Sequence, residues 1–398
     1  MSKKKKLIPE LRFPEFENEG EWEIKTIGDV ANSESSSMAL NKLDLKPTGY
    51  PVYGADSIVG YIDEFQHKEK YISIVKDGSG VGRLNLCQSN SSILGTLTSL
   101  KSKNKKQYDL DWLYYLLNTV DFSVYVKGAG IPHIYYSDFK NENVPVPTPK
   151  EQQKIASCLS SLDDLIQSHN QKLDLLIDHK KGLMQNLFPQ EGEKVPKLRF
   201  KEFEKDGEWN FKKLNKLGNL LNGLTYSPDD VREEGLLVLR SSNVQNGLID
   251  LNDSVYVRTD IQGANLLKPN DILICVRNGS KNLIGKNAII PKGMPLSTHG
   301  AFMTVFRATN PEFVFQLFQT DFYDTQVKAD LGATINSING KNFLKYEFPV
   351  PENPKEQQKI ALCLSSLDAL ITTQTEKIEQ LNLHKKGLMQ GLFPKTID

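Results

Sequence analysis

The chain has 398 residues, 39% hydrophobic and 25% charged, which is enough apolar matter for two or three packed domains and too much for a disordered chain. Its 49 Lys and Arg balance 49 Asp and Glu, and four cysteines with no Cys-x-x-Cys exclude a disulfide framework or a cysteine-rich zinc site. Apolar runs are too short for a membrane helix, and the Lys3–Lys6 start has no apolar segment behind it, so a soluble cytoplasmic protein with no membrane contact is expected.

Reading along the chain, Pro9-Glu-Leu-Arg-Phe…Gly-Glu-Trp22 leads into a strand-rich segment. Short strands are expected within Tyr50–Ile62 and at Tyr71–Val75, then a glycine turn, Lys76-Asp-Gly-Ser-Gly-Val-Gly82, and an amphipathic helix near Asp111–Asn118. Gly128-Ala-Gly-Ile-Pro-His133 follows, and then a helix signed at both ends. Thr148-Pro149-Lys150-Glu151 reads as a capping box with Pro at the first helical position, and Pro189 stops the helix.

The plan then repeats. Pro196-Lys-Leu-Arg-Phe…Gly-Glu-Trp209 returns at an offset of 187, and Pro354-Lys-Glu-Gln-Gln-Lys-Ile-Ala returns Pro149-Lys-Glu-Gln-Gln-Lys-Ile-Ala at 205, so the second interval is 18 residues longer. Between these blocks the copies diverge, leaving faint echoes: Lys76-Asp-Gly-Ser79 against Arg277-Asn-Gly-Ser280, and Gly128-Ala-Gly-Ile131 against Gly332-Ala-Thr-Ile335. The second insert reads as strands at Leu236–Leu239 and Asp271–Val276, with a helix over Pro311–Phe322 whose Asn310-Pro311 start is a cap. Each insert is a small mixed domain.

Both repeated helices carry a 4-3 apolar spacing. Ile155, Leu159, Leu162, Ile166, His169, Leu173, Leu176, Lys180, Leu183 and Leu187 form one seam, and Ile360, Leu364, Leu367, Ile371, Gln374, Ile378, Leu381, Lys385, Leu388 and Leu392 the other. Such stripes need a partner, and an antiparallel intrachain coiled coil with a pseudo-twofold repeat supplies it. Leu165, Ile177, Met184, Leu370 and Met389 widen the stripe and suit docking of helices from another protein; packing on the chain's own inserts is the alternative. Two basic stretches also stand out, eight Lys/Arg against two acids over Gln66–Lys106 and seven against two over Arg258–Arg307, as two phosphate contacts would need.

The duplicated Pro-x-Leu-Arg-Phe…Gly-Glu-Trp blocks, the Pro-Lys-Glu-Gln-Gln-Lys-Ile-Ala helices, Leu239-Arg-Ser-Ser-Asn-Val-Gln-Asn-Gly247 and the Lys76 and Arg277 turns together resemble the specificity (S) subunit of type I restriction-modification systems, over nearly the full chain. The resemblance implies an α+β chain. Its two target-recognition domains would occupy 1–143 and 191–347, and its repeated spacer helices 144–190 and 348–398. Each domain would read one half of a bipartite, asymmetric site in double-stranded DNA. The helices would dock two methyltransferase (M) subunits, and motor-nuclease (R) subunits would join for restriction. S-adenosylmethionine, ATP and Mg would enter only with those partners. A coiled-coil interaction scaffold without DNA specificity is the alternative, and it predicts no salt-sensitive DNA binding.

Arg, Asn, Gln and Lys in glycine-rich loops suit base and phosphate contacts. The first-domain candidates are Lys76, Ser79 and Arg83, then Lys101, Lys103, Lys105 and Lys106 for phosphate, with His133, Tyr135 and Tyr136. The second-domain candidates are Arg240, Ser241, Ser242, Asn243, Arg277, Asn278, Ser280, Lys281, Lys286, His299, Asn336, Ser337 and Asn339. No Walker motif is present, Gly78–Gly82 reads as a tight turn, and the six histidines show no metal spacing, so no catalytic or metal residue is expected in this chain.

Overall fold

The computed structural model describes residues 7–331 and 336–394; the Lys3–Lys6 run and the Gly332–Ile335 echo lie outside them. The chain divides into two units, Met1–Gln171 with Thr375–Asp398, and Lys172–Gln374. The long helices, Pro149–Leu187 and Pro354–Leu392, begin in one unit and end in the other.

In the first unit, strands Ala31–Ser35, Leu97–Ser102, Tyr71–Val75 and Leu84–Cys87 form an antiparallel sheet in that order. In a second sheet, Tyr50–Tyr53 pairs with Ile58–Ile62 antiparallel and with Ser92–Ile93 parallel. A ribbon of Glu23–Thr26 with Asn143–Val146 ties the chain where it enters and leaves the head.

The second unit has the same plan. Its main sheet is Gly218–Asn222, Met303–Ala308, Ile272–Cys275 and Asn287–Ile289, again antiparallel in that order. Leu236–Leu239 pairs antiparallel with Tyr256–Val257 and parallel with Ser297–His299, and the ribbon is Asn210–Lys213 with Glu347–Val350. Two inserts that share almost no sequence therefore share one topology. The longer second insert carries an extra hairpin, Val244–Gln245 with Leu248–Ile249, and a helix at Asp321–Asp330.

The central strands read as unbroken apolar runs because both faces are covered. Ile72 and Ile74 point into the core shared with the long helices, while Tyr71 and Val75 point into a second core. Ile272 and Ile274 divide from Leu273 and Cys275 in the same way. The first insert's helix is Leu110–Leu117, held by Asp109 accepting from Trp112 N at 2.9 Å. The single helix expected over Pro311–Phe322 is instead two, Pro311–Leu317 and Asp321–Asp330, separated by the Phe318–Thr320 turn.

Within each unit the two helix segments run antiparallel. In the first, Ile155 and Leu159 share a core with Leu388 and Leu392, and Asp163 pairs with Lys385. In the second, Leu183 and Leu187 meet Ile360 and Leu364, and Asp368 pairs with Lys180. These ion pairs are repeat equivalents at the offset of 205, so one register operates in both units. No seam position is exposed.

The duplicated motifs fasten each helix to its head. Arg12 donates to both carboxylate oxygens of Glu151 at 2.9 Å, and Arg199 to both of Glu356 at 2.8 Å. All four side chains are buried. The capping-box reading of Glu151 is thereby corrected, because the arginine occupies its carboxylate. Gln152 donates to the carbonyls of Pro147 and Gln107 and accepts from Asp109 N; Gln357 donates to Pro351 O and accepts from Asn310. Trp22 meets Phe393 edge-on at 6.2 Å and Trp209 meets Phe188 at 6.0 Å.

Candidate nucleic-acid interface

In the first unit the turn joining Tyr71–Val75 to Leu84–Cys87 carries Lys76, Ser79 and Arg83. A second loop is pinned to it: Gly78 N donates to Pro132 O at 2.9 Å and Ile134 N to Lys76 O at 2.8 Å. That loop is itself a tight hairpin, in which Lys127 and His133 exchange backbone bonds of 2.9 and 2.8 Å. Gly128 sits at φ +90°, where a Cβ would lie 2.5 Å from Ile131 O, so the turn requires glycine. Lys76, Ser79, His133 and exposed Tyr135 are thus brought together, with the His133 and Tyr135 rings 5.3 Å apart. Arg83 is exposed and paired with Asp56. Tyr136 is corrected to a structural role, because its hydroxyl donates to Ala31 O at 2.6 Å.

The four lysines of Lys101–Lys106 do not join this cluster. Val75 faces Leu97 and Ile72 faces Leu100, so the lysines follow the opposite end of the sheet from Lys76. Lys101 pairs with Glu34 at 2.8 Å, Lys105 pairs with Glu69, and Lys103 donates to Gly28 O. Only Lys106 among them keeps its ammonium clear of an internal acceptor among the described residues. Two of the four lysines are therefore paired with acids, Lys101 with Glu34 of the adjoining strand and Lys105 with Glu69 from the basic stretch itself.

The second unit builds the same loop cluster at the equivalent place. Ile338 N donates to Val276 O at 2.8 Å, matching Ile134 and Lys76. Asn278 Nδ2 donates to Ser241 Oγ at 3.1 Å, Asn336 Nδ2 to Gly279 O at 3.1 Å, and Arg277 bridges to Ser337. Arg277, Asn278, Ser280, Ser241, Asn336 and Ser337 converge, flanked by exposed Ser242 and Lys281 and by half-buried Lys286. The Arg277 guanidinium lies 5.9 Å from the ring of Phe302, which is 56% exposed. Arg277 and Lys76 pair with no carboxylate among the described residues. Arg240 is paired with Asp253 at 2.7 Å.

Two second-unit candidates are corrected. Asn243 is buried, accepting from Arg240 N and donating to the carbonyls of Asp250 and Asp253, so it knits the loop beneath the surface. His299 is buried, with Nε2 donating to Leu221 O at 3.0 Å; desolvation holds its pKa below the ordinary value and the ring neutral. Asn339 accepts from Lys341 N at 2.9 Å, capping the short helix Gly340–Phe343, and stays exposed. Ile131 and Phe302, both exposed at the loop clusters, escaped sequence reasoning because apolar residues in loops carry no periodic signal.

On the long helices Leu165, Ile177 and Leu370 are exposed as expected. Met184 and Met389 are corrected: each packs against the core of its own unit. Leu175, Leu362 and Leu383 are exposed and were missed. Among the described residues no cluster of three or more His, Cys, Asp or Glu could hold a metal ion, and no helix is long and apolar enough to cross a membrane.

Comparison with known proteins places this geometry. The family described as "Type I restriction modification DNA specificity domain" matches residues 19–176 and 206–383, one match for each half of the repeat. The specificity subunit of the type I restriction enzyme MjaVIII from Methanocaldococcus jannaschii is 27% identical, covering 97% of this chain and 94% of that protein. The EcoKI specificity subunit of Escherichia coli is 28% identical over 48% of this chain and 42% of its own length. The crystal structure of a type I restriction-modification S subunit from M. genitalium matches in fold with a TM-score of 0.71 at 18% identity, covering 98% of this chain and 100% of that one.

Proposed function

The chain belongs to the type I restriction-modification DNA specificity family, and from that premise we propose that its two heads each read one half of a two-part, asymmetric sequence in double-stranded DNA. The observation that carries this reading is the paired loop cluster. In the turn after the equivalent strand, two heads of a single plan hold different polar side chains: Lys76 and Asp77 of one stand where Val276 and Arg277 stand in the other, so the sequence echo of Lys76 with Arg277 is shifted by one residue in the fold. A duplicated frame with diverged tips suits one task performed on two sequences.

The chemistry of the tips supports it. Arg277 has a guanidinium suited to two parallel bonds to guanine, and Asn278 and Asn336 carry amides of the kind that pair with adenine edges. Lys76 supplies a charge for phosphate, which positions without specifying. The subunit itself is non-catalytic, like the specificity subunits it resembles. Exposed Leu165, Ile177 and Leu370, with Leu175, Leu362 and Leu383, offer apolar contacts on the long helices for two methyltransferase subunits. Those subunits would bring S-adenosylmethionine, and motor-nuclease subunits would bring ATP and Mg, in the cytoplasm.

The test is binding of the chain, assembled with its methyltransferase subunits, to genomic duplex fragments at several salt concentrations. Sequence-selective binding that weakens as salt rises, with two protected segments in a footprint, is expected. Binding that is absent, or indifferent to sequence, would overturn the reading.

A further inference from the structure

The loop cluster of the first unit has an apolar tip. Ile131 is 71% exposed at the turn of the Lys127–His133 hairpin, and Pro132 beside it is fixed by Gly78 N on its carbonyl. Scattered exposed apolar residues are ordinary. This one differs in two respects.

The first is rigidity. Glycine at 128, the paired bonds between Lys127 and His133, and the bond from Ile134 N to Lys76 O fix both arms of the hairpin, and the His133 ring lies with Nδ1 3.2 Å from Ile131 O at its tip. The second is repetition. Gly128-Ala-Gly-Ile131-Pro-His-Ile134 corresponds to Gly332-Ala-Thr-Ile335-Asn-Ser-Ile338 in a head that is otherwise almost unrelated in sequence. Packing accounts for the second isoleucine of each block, since Ile134 is 1% and Ile338 5% exposed. It does not account for Ile131, which touches water; Ile335 lies outside the described residues.

We infer that Ile131 is an apolar wedge that enters a base step of the first half-site and unstacks it, with Lys76, Ser79, His133 and Tyr135 around it making the polar contacts. Aliphatic side chains on rigid supports open base steps in this way, and bending the duplex brings further protein surface onto it. The inference rests on the DNA-recognition reading above and adds a deformation component to it. Part of the selectivity for the first half-site then follows from how easily one step opens, independent of hydrogen bonds to its bases.

The experiment uses the full chain assembled with its methyltransferase subunits and duplexes carrying 2-aminopurine at successive positions of the first half-site. Those positions are chosen beyond the methylated adenine, so that extrusion of the target base does not report. The wild-type complex is expected to raise the fluorescence several-fold at one step; Ile131→Ala should lose most of that rise and Ile131→Leu should keep it. Melting of the free protein should be unchanged by either substitution, because the side chain is exposed. A wild-type complex that protects the first half-site with no rise at any step, or an Ile131→Ala complex that retains the rise, overturns the wedge. A wild-type complex that binds no specific duplex overturns the recognition reading instead.

Discussion

Replacing Arg12 by Met tests the fastening of head to helix most severely. The Arg12 and Glu151 side chains are 6% and 1% exposed, and the arginine also donates to the carbonyl of Glu19 at 2.7 Å. The substitution strands a buried carboxylate, which costs about 3–5 kcal/mol. Glu151 lies in the first turn of its helix, whose dipole returns up to ~1 kcal/mol, leaving about 2–4 kcal/mol. For a unit of this size that corresponds to a midpoint lowered by roughly 4–16 °C. Trp22 and Trp112 lie in the first unit and Trp209 in the second, so thermal unfolding followed by fluorescence in a Trp209→Phe background reports the first unit alone. Arg12→Met with Glu151→Gln should recover part of the loss, and Arg199→Met should reproduce the effect on Trp209 with Trp22 and Trp112 replaced. A loss below about 0.5 kcal/mol, the scale of a surface change, would refute the reasoning.

Further outcomes follow from the same geometry. His299 is held neutral by burial, so the unfolded state binds the extra proton; stability of the second unit should fall as pH drops below the ordinary histidine pKa of about 6.5, and a His299→Gln variant should flatten that slope in urea titrations at pH 7.5 and 5.5. Arg277→Ala in the assembled complex should weaken specific DNA binding by about 5- to 150-fold, measured by gel shift, and should relax the motif only in the half read by the second unit. Replacing Lys101 and Lys105 together by Ala should change DNA affinity less than about threefold, because both are paired with Glu34 and Glu69 in the folded chain.

Much of the architecture was legible because it is periodic or repeated. The 4-3 seams specified the long helices, and the 205-residue repeat of Asp163 and Lys180 as Asp368 and Lys385 contained the antiparallel register. The purpose of the repeated arginine was not legible, since Arg12 and Glu151 are 139 residues apart and the capping signal offered a local partner first. The parallel pairing of Val52 with Ser92 involves a strand of two residues, too short to show any period. The loop clusters were half visible. Glycines and polar residues marked Lys76–Arg83 and Arg277–Ser280, but only folding distinguishes Arg277, beside Phe302, from Asn243 and His299, which point inward. Lys101–Lys106 misled because charge counted along a chain says nothing about Glu34, which reaches Lys101 from a neighbouring strand.

The most direct measurement is a genome-wide map of methylated adenines in cells expressing this chain with its methyltransferase, beside cells in which residues 31–143 are exchanged for the same segment of another member of the family. Methylation confined to one two-part motif, whose first half alone changes on exchange, is the predicted result. Methylation at an unsplit or unrelated set of sequences, or an exchange that alters both halves or neither, would contradict the account.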